Sequence, residues 1–586
     1  MQGPGNAVVR GTEMHELVIR NGLVVDGTGG PTRRVDVAVD GGLISAVGID
    51  IGPGRQEIDA EGLLVAPGWV DVHTHYDGQA TWDPELSPSS WHGVTTTVFG
   101  NCGVGFAPAR PDEHDWLIQL MEGVEDIPGA ALADAIDWQW ETFPEYLDAL
   151  DKMPRVMDIA TQVPHGSVRA YVMGERGATN QDPTADDLVE MAAIVREGIE
   201  AGALGFTSSR TMLHRALDGE PVPGTFAGAE EMIALGRAVA DAGGGVVEVA
   251  SDIGLGGLEG NFGSDIEWMR ELAEKHGLTV TYALTQADRH PDQWRELLEL
   301  SSAPMTGPGQ VMAQVAGRPA GLLFGLETSL HPFKMHPTFL GLADLTPAER
   351  VAELRRPEVR AAILRESTGF TGRFNHDVAH GFHKMYPLGT EPNYEPDRSQ
   401  SVEALAEAAG VDPSEFVYDV LLDNDGKGLI FFPLTDFAQR THDPIYERLR
   451  HHGAFLSLSD GGAHCRLICD ASTPTYLLTH WTRDRTNGPK LDLAEAVKLQ
   501  THDTAMLYGL SDRGTIEVGK KADLNVIDYD GLRLSAPEMV YDLPAGAPRL
   551  LQRADGYRAT IVSGQVTWRD GVATGARPGV LVRGRR

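Results

Sequence analysis

The sequence predicts an α/β protein: a (β/α)8 TIM barrel flanked by a small β-sandwich domain that the two chain termini build together. Three observations lead there. Short apolar strands alternate with helical stretches after residue 70, β texture alone occupies both ends, and 586 residues exceed one ordinary hydrophobic core.

From "ELVIRNGLVVDGTGGPTRRVDVAVDGGLISAVG" onward, apolar runs are punctuated by Gly and Asp, the pattern of consecutive hairpins, so residues 14–66 form the first part of the β domain. The runs "GVTTTVFG", "ALGFTSS", "GGVVEVAS" and "LTVTYALT" then read as strands, and "TADDLVEMAAIVREGIEAG" and "AEEMIALGRAVADAG" as helices between them. Such alternation means βαβ units and a parallel sheet, for which the eightfold barrel over 67–505 is the economical closure. "HHGAFLSLSDGGAH" is its last strand, and the poorly periodic 330–400 reads as an insertion shaped like a lid. Hairpin texture returns over 506–586, in "DRGTIEVGKKADLNVIDYD" and "YRATIVSGQVTWRDGVAT".

A formal charge of -35 disfavours nucleic acid and anionic membranes as partners, because a polyanion is repelled over most of the surface. A small-molecule substrate is expected instead, and a homo-oligomer is compatible with it. No apolar run approaches a membrane span, and "MQGPGNAVVRGTEMHELVIRNG" lacks a signal-peptide pattern. A cytoplasmic location follows as an expectation. Three cysteines, Cys102, Cys465 and Cys469, suit free thiols or a metal ligand better than a disulfide framework.

In "APGWVDVHTH" two histidines stand two apart at the end of an apolar run. Side chains two apart on a strand share a face, so His73 and His75 can turn toward one ion at the strand end, where barrel active sites lie. Cys102, between glycines directly after "TTTVF", falls at the same mouth, and as a thiolate it suits zinc. An isolated His-x-His is more often a satisfied loop pair, and a lone Cys more often core. Asp460 precedes Gly-Gly in "LSDGGAH", which by itself reads as a turn.

The order "NGLVVDGTG", "APGWVDVHTH", "LSDGGAH", "DRGTIEVGKKADLNVID" resembles the amidohydrolase superfamily over nearly the whole chain, and "GVTTTVFGNCGVGFAP" is similar to its N-acyl-D-amino-acid deacylases, or D-aminoacylases. The resemblance implies a zinc-dependent hydrolase of linear C–N amide bonds. It makes His73, His75, Cys102 and Asp460 metal ligands, with Asp460 also the general base. The family's two later-strand histidines are replaced here by Asp252 and Gln286, and Asp288 lies near its lysine for the substrate carboxylate. Asp252 can still ligate a cation, whereas Gln286 is a weak zinc ligand, so one tightly held zinc ion is expected and a second is doubtful.

His165 and Arg169 resemble the deacylases' Gly-His … Arg segment and, with His214 and Gln286, are candidates to line the substrate pocket. Arg210, Arg318 and Arg440 stand in strand-end or loop contexts where a guanidinium can take a carboxylate. One rival is a cyclic amidase of the dihydroorotase or hydantoinase kind, disfavoured by Gly-Asn-Cys-Gly. Another is a non-catalytic scaffold on a decayed enzyme fold. No nucleotide loop and no Gly-x-Ser-x-Gly elbow is present.

Overall fold

The computed structural model describes residues 14–252, 262–367 and 373–584. The amino-terminal reading over residues 1–13 lies outside the described residues.

Eight parallel strands follow one another in chain order: β1 (Trp69–Asp71), β2 (Val94–Phe99), β3 (Asp158–Thr161, resuming as Val163–Pro164), β4 (Gly205–Arg210), β5 (Val246–Ser251), β6 (Thr279–Ala283), β7 (Gln310–Val315) and β8 (Ala454–Leu456). Each pairs in parallel with the next. Helices such as Ala185–Ala201 and Ala229–Asp241 connect them; the first starts at a Thr184–Asp187 capping box that satisfies its free N–H groups.

The expected single closed ladder is not seen. It divides into a three-stranded and a six-stranded sheet, broken at Gln162 within β3. β8 meets β1 only through an isolated parallel bridge, Thr74 to Gly461, with Asp460 N donating to His73 O at 3.1 Å and His75 N to Gly461 O at 2.8 Å. The cause is local: Leu458 and Asp460 take left-handed φ values of 60° and 51°, which no strand can continue through. The architecture is of TIM-barrel type with a β domain.

That β domain also differs from expectation, since the ladders give one continuous nine-stranded sheet where a two-sheet sandwich was expected. His15–Val24 pairs with Arg33–Asp40, Gly54–Asp59 and Leu64–Pro67, and the last of these pairs with Leu524–Ile527 from the far end of the chain. Leu17, Ile19, Val37, Leu524, Val526 and Ile561 form its buried face. Leu64–Pro67 runs through Gly68 directly into β1, so the sheet anchors the strand that carries the paired histidines.

Between β7 and β8 the chain makes a larger excursion than the expected 330–400. Gly321–Phe324, Leu429–Pro433 and Tyr386–Leu388 form an antiparallel sheet, and Phe324, Phe339, Leu354, Tyr418, Ile430 and Phe432 belong to a core of its own. No helix among the described residues is long and apolar enough to cross a membrane.

Inside the ring of parallel strands the packing is polar rather than aliphatic. Thr97, Asn101, Gln162, Thr207, Glu248, Thr281 and Gln314 are all fully buried. Hydrogen bonds link them: Thr74 and Thr97 hydroxyls meet at 2.8 Å, Gln162 Nε2 donates to Asn101 Oδ1 at 2.8 Å, and Gln314 Nε2 to Thr281 Oγ1 at 3.1 Å. This network is the floor on which the site stands.

Candidate metal centre

His73 and His75 leave the end of β1 and turn to a common point. Cys102 Sγ lies 3.4 Å from His73 Nε2, and donor atoms of His73, His75 and Cys102 all fall within 4.8 Å of one another. Asp460 Oδ1 reaches the same point from the β8 side, 3.5 Å from His73 Nε2 and 3.6 Å from His75 Nε2. The backbone is shaped for this. Cys102 has φ of 56°, and Gly103 follows at 70° with its Cα so close to β4 that a Cβ would stand 2.6 Å from Ser209 N. Only glycine fits there.

Both imidazoles present Nε2 inward, and a polar side chain stands behind each Nδ1. His73 Nδ1 donates to Gln314 Oε1 at 2.8 Å; Gln314 is fixed in that sense because its amide N donates to Thr281 and, at 3.4 Å, to Glu248. His75 Nδ1 lies 3.3 Å from Glu125 Oε1. Two Nε2 atoms, a thiol and a carboxylate with backing acceptors are the donor chemistry of a zinc-type site. These residues fit a divalent cation.

The electrostatics are those of an anionic cluster. Burial and then Glu248, Glu125 and Asp460 push the Cys102 thiol well up, so it becomes a thiolate only with a cation beside it. Burial opposes charge on His75, yet Glu125 and Asp460 outweigh it and raise this imidazole to about 9; His73, where burial prevails, falls to about 4. Burial lifts Asp71 and Asp77 to about 7, whereas the histidines pull Asp460 far below the usual carboxylate range against its own burial.

Other residues singled out from the sequence lie elsewhere. Asp252 does not join the group, which corrects its assignment as a ligand: one oxygen accepts from Thr211 Oγ1 and the other from Met212 N at 2.7 Å, so it clamps the loop after β4. Gln286 is likewise spent, with Nε2 donating to Pro291 O and Gln439 Oε1 and its backbone N to Asp436. His165 uses both ring nitrogens, toward Ser208 Oγ at 2.9 Å and Glu231 Oε1 at 3.0 Å, and Arg169 pairs with the same Glu231.

Arg318 is buried against Asp470 at 2.8 Å, stacked 4.0 Å over Tyr394, and Arg210 pairs with Asp265 at 2.9 Å. Arg440 donates to His383 O and Tyr386 Oη, both at 2.6 Å. His214 Nδ1 meets Ser209 Oγ at 3.1 Å, and burial first, then the charges of His464, His75 and His73, bring this imidazole down to about 3.

Sequence reasoning missed Glu125, Glu248, Gln314 and His464. Glu248 was legible as a lone carboxylate at one position of the Val-rich β5. Glu125 was legible too, because it falls four residues after Met121 on the apolar stripe of helix α1 (His114–Glu125).

The model of the amidohydrolase family matches residues 56–568, and the chain belongs to that family. A D-aminoacylase of Alcaligenes xylosoxydans xylosoxydans is 26% identical over 577 residues, covering 97% of this chain and 98% of its own. An uncharacterized protein of Mycobacterium tuberculosis is 26% identical over 600 residues, covering 96% and 93%. In structure the chain is similar to N-acyl-D-glutamate deacylase from Bordetella bronchiseptica, solved with zinc and a phosphonate inhibitor, with a TM-score of 0.62, 22% identity and coverage of 97% and 100%. At that identity the structural likeness speaks for the fold.

Proposed function

We propose that the chain is a zinc-dependent hydrolase of linear amide bonds acting on a small N-acyl substrate, similar to the N-acyl-D-amino-acid deacylases. The observation that carries this reading is the convergence of His73, His75 and Cys102 within 4.8 Å, with Asp460 Oδ1 at 3.5 and 3.6 Å from the two Nε2 atoms. The D-aminoacylase relative, matched over nearly its whole length, supports the reaction class.

These four side chains would hold a divalent cation, which would supply Lewis-acid chemistry toward water and a carbonyl. The protein's own residues do the rest. Asp460, beside both imidazoles and ionised, takes the proton from the attacking water and returns it to the leaving amine. His214, neutral and near the cluster, donates a hydrogen bond to the carbonyl oxygen. Thiolate Cys102 and ionised Asp460 balance the charge of one dication, and the polar floor of Gln314 and Glu248 fixes the ligand geometry.

The test couples metal quantification on purified protein to a screen of N-acyl-D- and N-acyl-L-amino acids, hydantoins and dihydroorotate. Zinc near one per chain with hydrolysis of a linear N-acyl compound is expected. Turnover confined to the cyclic amides would replace this reading with the cyclic amidase, and metal-free protein inert on every compound would replace it with a scaffold.

A further inference from the structure

We infer that Glu125 is a positioning residue for the metal centre, one buried carboxylate that holds the outer nitrogen of His75 and ties it to His464. This rests on the reading of His75 as a ligand. Glu125 is 1% exposed, and neither its two oxygens nor His75 Nδ1 has a hydrogen-bond partner among the described residues. What faces them is imidazole: His75 Nδ1 at 3.3 Å from Oε1 and His464 Nε2 at 3.6 Å from Oε2.

The placement is costly unless it serves something. Glu125 is the last residue of α1, where the helix dipole is negative and disfavours a carboxylate, and burial disfavours it further. It sits behind His75, on the Nδ1 side, while Asp460 lies on the Nε2 side, so it backs a ligand rather than joining the ligand group. Gln314 occupies the equivalent place behind His73, at 2.8 Å. Each imidazole thus has a buried acceptor behind it, a carboxamide for His73 and a carboxyl group for His75, and an acceptor on Nδ1–H leaves the Nε2 lone pair for a cation.

The backbone joins the same two regions. His464 N donates to Glu125 O, and the neighbouring Asp126 accepts from Arg466 N at 3.1 Å, so the end of α1 also clamps the loop that follows Asp460. His464, with φ of 48° and its side chain partly exposed, is thereby held over the mouth.

Cobalt(II) is the probe, added to chelator-stripped full-length protein and followed by its visible absorption and by competition with a chromophoric chelator. Glu125→Gln keeps the shape and removes the charge, so it should weaken cobalt binding about 10- to 100-fold with unchanged circular dichroism, and Glu125→Asp should restore part of the loss. His464→Asn should leave the affinity at the wild-type value.

Wild-type affinity in Glu125→Gln would overturn the assignment. If that variant does not fold, the wild-type cobalt protein decides: its proton spectrum should show two solvent-exchangeable, hyperfine-shifted imidazole N–H signals, one each for His73 and His75, and a single signal would refute the role of Glu125. Neither readout uses turnover, so failure to hydrolyse amides would remove the proposed function and leave this inference standing.

Discussion

Gln314 Oε1 lies 2.8 Å from His73 Nδ1, and this contact determines which nitrogen of that imidazole is left for a cation. Ser457 Oγ donates to the same oxygen at 2.9 Å. Replacing Gln314 with Met keeps much of its bulk but removes the acceptor, so zinc affinity should fall by roughly 10- to 100-fold while the fold persists. Competition against a chelator measures it; unchanged affinity would mean that the ring is held by packing alone.

Asp460 is the residue on which the proposed reaction turns. Asp460→Asn keeps an oxygen near the two imidazoles but cannot accept a proton from water, so kcat should fall by about 10²- to 10⁴-fold with most of the metal retained. Turnover and metal content on one preparation separate the effects. Near-normal kcat would place the base elsewhere, with His214 the next group to test.

Much of this was legible in the sequence, and the limits have physical causes. The strand and helix alternation, the His-x-His at a strand end and the Cys between glycines all depend on local periodicity, and β1, β2 and β8 place them together. Asp252 failed as a ligand because a carboxylate after a strand can serve a loop equally well, and here Thr211 and Met212 claim it. Glu125 and Gln314 matter only through partners 50 and 241 residues away, a separation at which one sequence carries no pairing signal. Whether strands close into one ladder and how the β domain's strands share sheets was not legible for the same reason, since register between distant strands is settled by packing.

Arg318 is predicted to matter for stability and not for substrate. Its guanidinium is buried against Asp470 and Cys469 O, so Arg318→Met leaves the Asp470 carboxylate buried without its partner. A loss of about 3–5 kcal/mol is expected in denaturant unfolding, with KM unchanged in the fraction that remains folded. A raised KM with intact stability would make Arg318 a substrate contact after all.

Acid should act through Glu231. Burial raises its carboxyl, but His165 and Arg169 outweigh that and bring it down to about 2 from an ordinary 4.5. A carboxyl lowered on folding contributes stability that is fully present above its unfolded value and is lost as pH falls through its folded value. His165, lowered mainly by burial, loses stability in the same direction. Glu231→Gln should therefore be less stable at neutral pH, with the gap to wild type narrowing as pH falls from 4.5 toward 2. Unfolding midpoints across that window check it, and a constant gap would exclude Glu231 as the titrating group.

Metal removal should both inactivate and destabilise, and the count should be near one ion per chain. Asp252 and Gln286, standing where a second set of ligands is expected, are bound to Thr211, Met212, Pro291 and Gln439 and have no free oxygen facing the cluster. Glu248, beneath Cys102, accepts from Cys102 N at 3.0 Å and from Gln314. Four converging donors are what one tetrahedral dication takes, so a count near one is the expected result. Without the cation, Asp71, Asp77, Glu125 and Glu248 remain buried beside the partly exposed Asp460, a cluster of carboxyl groups with too little positive charge among them. Chelation should lower the thermal midpoint, and added zinc should restore it in proportion to ln(1 + [Zn]/Kd). Elemental analysis gives the stoichiometry, and two tightly held zinc ions per chain would show that residues now hydrogen-bonded elsewhere rearrange to form a second site.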